Sequence, residues 1–271
     1  MQLGELGEFG LIERIERAAR RLGKPRGVVI GIGDDAAVLR PRAGEDVALS
    51  TDALVEGVHF RFATQSARTV GRRALVANLS DLAAMGARPL GCTLALAAPA
   101  QLPVRLVDGV LAGLLLEADA HGCALVGGNV SAASEVSLTL AVLGAVERGR
   151  ALTRSGARAG DRIFVTGQLG AAALEVARAA QGRGQVRRVP TPRLRAGRVL
   201  ARIPAVSACI DISDGLASDL RHLLAGGGLE TGPRRGGVIH TGFADPTTTD
   251  LAAVVQKHHF CRGCTHVYAA E

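Results

Sequence analysis

An α+β fold is what this 271-residue chain predicts, and three observations carry the prediction. Apolar residues recur at helical spacing in several long runs. Between them, strand-like apolar runs follow one another instead of alternating regularly with helices. Apolar residues make up 48% of the chain against 3% aromatic, with no Trp, so the core these elements share is aliphatic.

In chain order, residues 8–22 place apolar side chains at 9, 11, 12, 15, 18, 19 and 22, which predicts a helix stopped by Gly23-Lys24-Pro25. Short strands follow at 28–30, 36–39 and 47–49, the third expected to end at Ser50-Thr51-Asp52. Residues 69–85 read as a helix closed by Gly86, with Asn78 and Asp81 on one face. A strand at 92–97 ends at Pro99, and a long apolar helix at 103–120 starts on Pro103. The strand at 124–126 runs into Gly127-Gly128-Asn129, and 136–146 is a longer strand. Near residue 150 the composition turns basic and turn-rich, which puts a boundary at about 149. A second set of elements then appears: strand 163–166, helix 171–180, helix 193–201, strand 208–212 and helix 215–224. The expected division is 1–149, 150–226 and a poorly ordered tail at 227–271.

Bulk charge narrows the classes. The net charge is +7, almost all of it from arginine, since only Lys24 and Lys257 are lysines. Arginine suits phosphate recognition through its two-pronged fork, although a general bias toward arginine would look the same. The basic residues are not interleaved with aromatics, which argues against nucleic-acid binding. Cys92, Cys123 and Cys209 sit in apolar runs and read as small buried hydrophobes. Five widely spaced cysteines do not make a disulfide framework. No apolar run reaches the roughly 18 residues of a membrane span, and no signal core opens the chain. A soluble cytoplasmic protein is expected.

Carboxylates carry the candidate chemistry. Gly31-Ile32-Gly33-Asp34-Asp35 follows an apolar strand, and two adjacent like charges at a tight turn invite a cation. The loop fits a loose dinucleotide pattern, but Pro41 arrives too soon for the helix that pattern requires. No GxxxxGK[ST] run exists, so a Walker-type phosphate loop is excluded. Ser50-Thr51-Asp52 supplies hard oxygen donors of the kind Mg²⁺ prefers, or else a turn or cap. Asp81 lies between Leu79 and Leu82, an unusual setting for an unpaired carboxylate. Gly127-Gly128-Asn129 brings backbone N–H groups toward a phosphate, or is an ordinary glycine turn. Asp211-Ile212-Ser213-Asp214-Gly215 closes a strand and opens a helix that Asp214 is placed to cap. His59 alone reads as structural. Taken together, these sites predict a Mg-nucleotide centre on which the acidic motifs converge.

At these residues the sequence resembles thiamine-monophosphate kinase, of the PurM-like ATP-binding superfamily. The matching segments are 31–39, STDALVEGVHF (50–60), ALVANLSDLAAMGARP (74–89), Gly127-Gly128, RALTRSGARAGDRIFVTG (150–167) and IDISDGLASDL (210–220), in family order over roughly residues 6–225. The resemblance implies a PurM-like N-terminal domain whose sheet joins a partner's sheet in a dimer barrel, and an incomplete PurM-like C-terminal α/β sandwich. It implies ATP-dependent phosphorylation of thiamine phosphate to thiamine diphosphate in a homodimer. Position by position, Asp35, Ser50, Thr51, Asp52, Asp81, Asp211 and Asp214 would be Mg²⁺ ligands. Gly127, Gly128, Asn129, Arg154 and Ser213 would contact ATP, and His59 thiamine phosphate.

Two departures stand out. The family's Gly-Gly-Asp is Gly127-Gly128-Asn129 here, which removes one charge and should weaken one Mg²⁺ site. After Leu224 the family's GGEDYEL motif is missing, and an unrelated stretch carries His258, His259, Cys261, Cys264 and His266, ligand types suited to zinc but without a standard spacing. The competing readings are therefore an active kinase, a PurM-like enzyme with a different acceptor, and a nucleotide-binding remnant without turnover.

Overall fold

The computed structural model describes residues 1–23, 27–32, 35–228 and, as backbone, 265–270. Fifteen elements appear in the order α1 (Leu3–Arg20), β1 (Val28–Ile30), β2 (Val38–Leu39), β3 (Glu45–Val55), α2 (Ala67–Ala84), β4 (Arg88–Ala98), α3 (Val104–His121), β5 (Ala124–Ala132), β6 (Ser137–Glu147), β7 (Arg162–Val165), α4 (Ala171–Ala180), α5 (Leu194–Leu200), β8 (Val206–Ile212), α6 (Leu216–Gly226) and β9 (Thr265–Ala270). The expected α+β character holds.

The first sheet runs β3-β6-β4-β5, with β4 and β5 parallel and the other pairs antiparallel. Period-two burial on β6 shows why one face is covered: Leu138, Leu140 and Val142 are fully buried, while residues between them are only partly so. They pack with Val70, Leu75 and Leu79 of α2 and with Leu114 of α3 in one aliphatic core. The opposite face stays open, and Val47 and Leu49 on β3 are 53% and 69% exposed. Helices α2 and α3 approach closely because glycines line their crossing. A Cβ on Gly71 would lie 1.8 Å from the Val110 carbonyl oxygen, and one on Gly113 would lie 2.0 Å from that of Arg68.

The second sheet is β7-β9-β8, with β9 antiparallel to both neighbours. Its core is smaller: Ala208, Ile210 and Ile212 of β8 pack with Leu220 and Leu223 of α6. Helix α5 lies against α2, where a Cβ on Gly197 would meet the Ala83 carbonyl oxygen at 1.9 Å. The expected tail is a strand at 265–270; its remaining positions and the zinc reading at His258, His259, Cys261 and Cys264 lie outside the described residues, as does the side chain of His266.

Two strand ends fall later than expected. Ser50, Thr51 and Asp52 lie mid-strand, opposite Val142, Ala141 and Leu140, because β6 offers an uninterrupted ladder of partners from Glu45 to Val55. Likewise Gly127-Gly128-Asn129 continues β5 beside Thr93, Leu94 and Ala95. Gly128 has a packing reason: a Cβ there would lie 2.0 Å from the Leu94 carbonyl oxygen.

Candidate active site

A cavity of about 290 Å³ opens where α2 faces the end of β8. Helix spacing builds one wall. Arg73, Val76, Ala77, Ser80 and Asp81 recur at three and four residues and share a stripe of α2. Asn78 is off that stripe; it is buried, and its Nδ2 donates 3.0 Å to the Ala74 carbonyl inside the helix. The expectation that Asn78 and Asp81 share one face is thus corrected. Strand β3 and the turn after it add Thr51, Asp52 and His59. Asp211, Ile212, Ser213 and Asp214 close the far side, with Pro190 at the rim.

Hydrogen bonds fix the carboxylates. Ser50 Oγ donates to Asp81 Oδ2 at 2.6 Å, and Ser80 Oγ donates to Asp211 Oδ2 at 2.9 Å, joining the two walls. Thr51 Oγ1 donates to the Leu140 carbonyl at 2.9 Å. His59 Nδ1 accepts from the Val55 N–H at 2.9 Å, which places the proton of the neutral ring on Nε2.

The turn at the end of β8 has an organiser that sequence reasoning missed. Asp219, buried in the first turn of α6, accepts from the backbone N–H groups of Ser213, Asp214 and Gly215 at 2.9, 3.1 and 3.1 Å. Asp214 therefore does not cap the helix: Gly215 occupies the cap position and Asp219 satisfies the amides. The available signal was an acidic residue in the first helical turn, where N–H groups need a partner. Ser80 and Arg73 were also missed, for they have no motif and only the α2 stripe brings them in.

Electrostatics mark the site as short of positive charge. Burial is the main force that pushes Asp81 from an ordinary 3.8 up to about 6; the Ser50 hydroxyl opposes it, and the charges of Asp211 and Asp52 add to it. Burial also raises Asp211, against the hydrogen bond from Ser80. Arg154 eases both carboxylates by its charge, though it does not line the cavity. Hard carboxylate and hydroxyl oxygens with mutually raised proton affinities are the donor chemistry of Mg²⁺. Among the described residues no three His, Cys, Asp or Glu side chains are gathered tightly enough to hold an ion by themselves. That fits Mg²⁺ better than Ca²⁺ or Zn²⁺, since Mg²⁺ keeps waters and shares its shell with substrate phosphates.

Not all of the expected set converges. Thr51, Asp52, His59, Asp81, Asp211, Ser213 and Asp214 line one cavity, and Ser50 is bonded into it. Asp35, Gly127, Gly128 and Asn129 do not line it. Asp35 is exposed beyond the β1 turn, and Asp34 lies outside the described residues. Strand β5, which bears the glycines and Asn129, is the sheet edge opposite β3. No helix among the described residues is long and apolar enough to cross a membrane.

Known proteins match this architecture. Residues 33–146 match the family described as AIR synthase related protein, N-terminal domain. Thiamine-monophosphate kinase of Mycobacterium tuberculosis is 36% identical over 233 residues, spanning 84% of this chain and 68% of that protein. The crystal structure of thiamine-monophosphate kinase from Stenotrophomonas maltophilia superposes with a TM-score of 0.74 at 33% identity, covering 96% of this chain and 84% of that one. AaThiL complexed with AMPPCP and TMP gives 0.65 at 28% identity, covering 100% and 87%. With more than a third of its residues shared across two thirds of a full-length relative, this chain belongs to the thiamine-monophosphate kinase family.

Proposed function

We propose that this chain transfers the γ-phosphoryl group of ATP to thiamine phosphate by direct in-line displacement, giving thiamine diphosphate and ADP. The observation that carries the reading is the cavity itself: oxygen donors from both halves face one space that also holds His59 and Arg73. The acceptor is a phosphate whose second pKa is about 6, so it is already a dianion near neutral pH and needs no general base. One P–O bond to the acceptor oxygen forms as the bond to the β–γ bridging oxygen breaks, and no proton has to move. What the reaction requires is positioning and charge neutralisation.

Asp52, Asp81, Asp211 and Asp214, with Ser50 and Thr51, would hold Mg²⁺, which when bound neutralises the phosphate oxygens. Asp219 keeps the Ser213–Gly215 amides aligned, and Ser213 is thereby placed to meet ATP. Arg154 would supply a mobile cation for the triphosphate. In the same reading the protein is a homodimer. Gly127, Gly128 and Asn129 sit on the edge β5, whereas Thr51 and Asp52 sit on the edge β3. A second copy laying its β5 edge by this β3 edge would bring the separated residues to one centre and cover Val47 and Leu49. Residues 1–149 would form the sheet-pairing domain and 150–226 the cavity's second wall.

Incubation with ATP, Mg²⁺ and thiamine phosphate should yield thiamine diphosphate, read by chromatography. Asn129 favours a second reading, a Mg-ATP-binding protein with weak turnover, because an amide replaces a charged ligand at that position. Asn129→Asp should then raise the rate. Silence of both forms, with thiamine phosphate bound or not, would sink the kinase reading.

A further inference from the structure

Helix α2 carries two adjacent arginines and turns them in different directions. Arg72 points to α3, where its Nε donates 2.6 Å to Oε1 of buried Glu117. His121 Nε2 lies 3.2 Å from the other oxygen of Glu117. That arginine is matched by a carboxylate and ties helix to helix. Arg73, about 100° further round the helix, lines the cavity instead. Its Nη1 donates to Oε1 of Gln65 at 2.5 Å, and Gln65 is only 5% exposed. A neutral amide thus fixes the guanidinium without cancelling its charge.

The surroundings show which end of the cavity this is. Gln65 closes the segment 56–65 that also bears His59, with its backbone N–H donating to the Arg61 carbonyl at 2.9 Å. The Val186 N–H in turn donates to the Thr64 carbonyl at 2.9 Å, so a segment from the second half of the chain seals the same end, next to Pro190. The cavity is therefore bipolar. Carboxylates from β3, α2 and β8 occupy one side, while Arg73 and the Nε2–H of His59 lie by the segment 56–65.

We propose that Arg73, held by Gln65, binds the phosphate of the acceptor, with His59 Nε2–H as a second donor. The proposal rests on the acceptor reading above. Two anions must meet in this cavity, and the carboxylate side can receive a triphosphate only through its cations. The acceptor phosphate carries a charge of about −2 and needs its own counter-charge. A guanidinium held in place donates in a fixed fork that a phosphate matches. Arg73 is a specificity determinant as well: it rewards the phosphate and not the thiamine body.

Titration calorimetry on the full chain tests this with thiamine phosphate, thiamine, inorganic phosphate and Mg-ATP as probes. Arg73→Met should weaken thiamine phosphate about 10- to 100-fold, the loss of one charge-assisted hydrogen-bonded contact, and leave thiamine and Mg-ATP within about twofold. Arg73→Lys should recover part of that loss, and Gln65→Leu should show an intermediate weakening. In turnover, KM for thiamine phosphate should rise with KM for ATP unchanged. Wild-type affinity in Arg73→Met overturns the proposal, as does an equal loss for every probe, which would mark a structural role. If inorganic phosphate binds through Arg73 while thiamine phosphate is ignored, the anion subsite stands and the acceptor reading falls. If wild type and Arg73→Met make thiamine diphosphate with equal KM, the acceptor reading stands and the subsite falls.

Discussion

The two walls of the cavity are built on different principles. The α2 wall is a long helix sunk in a large aliphatic core, where Val70, Leu75 and Leu79 are fully buried and its functional side chains project from a rigid rod. The β8–α6 wall is a turn on a small core, shaped by one carboxylate that collects three amides. The first wall is positioned by packing and the second by hydrogen bonding. The first should therefore fail through steric change, and the second through loss of single polar atoms.

The largest effect should come from Gly71→Val. Its side chain would occupy the space of the Val110 carbonyl, forcing α2 and α3 apart at a cost of about 4 kcal/mol or more, read as loss of the cooperative unfolding transition at 37 °C. Asp81→Asn and Asp211→Asn keep shape and remove charge. Each should lower kcat about 100- to 1,000-fold with little change in melting temperature, if these groups neutralise the transferring phosphoryl. Equal melting but unchanged kcat would show that the walls merely enclose the site.

A pH series sharpens the comparison further. Folding raises the Asp81 carboxyl from 3.8 to about 6, so the folded state holds that proton more tightly than the unfolded chain. Without Mg²⁺, stability from this group is fully present below about pH 4 and is lost as pH rises to about 6, a decline on the order of 1–3 kcal/mol. Asp81→Asn should flatten that slope, and denaturant titrations between pH 4 and 7 check it. On the other wall, Asp219→Ala should cost about 1–3 kcal/mol by stranding three N–H groups, and should also weaken ATP binding. The smallest effect belongs to Ser80→Ala, about 1 kcal/mol, because Asp211 loses one donor while water can replace it.

The same contrast explains what the sequence made legible. Helix periodicity and the odd carboxylate among leucines exposed α2 and Asp81 directly. The motif at 211–214 gave the second wall its location but not its organiser, since a lone Asp219 looks like any helix-start acid. Ser50-Thr51-Asp52 and Gly127-Gly128-Asn129 resembled strand ends because polar and glycine residues usually interrupt strands. Whether a partner strand continues beside them is a tertiary fact, and β6 and β4 do continue. Convergence of Asp35 and the β5 glycines on the cavity was expected from chemistry alone and is not seen within one chain. Arg73 and Gln65 leave no local signature, and Arg72 next door shows that the same residue type on the same helix can serve packing instead.

The Ser80–Asp211 hydrogen bond spans 131 residues of chain. Contacts at such separation carry a high loop-closure entropy and form late, once both cores are in place. The catalytic cavity is therefore the last part of the molecule to assemble during refolding. Recovery of substrate binding should lag behind recovery of helical signal, which makes the site a clock for the docking of the two halves.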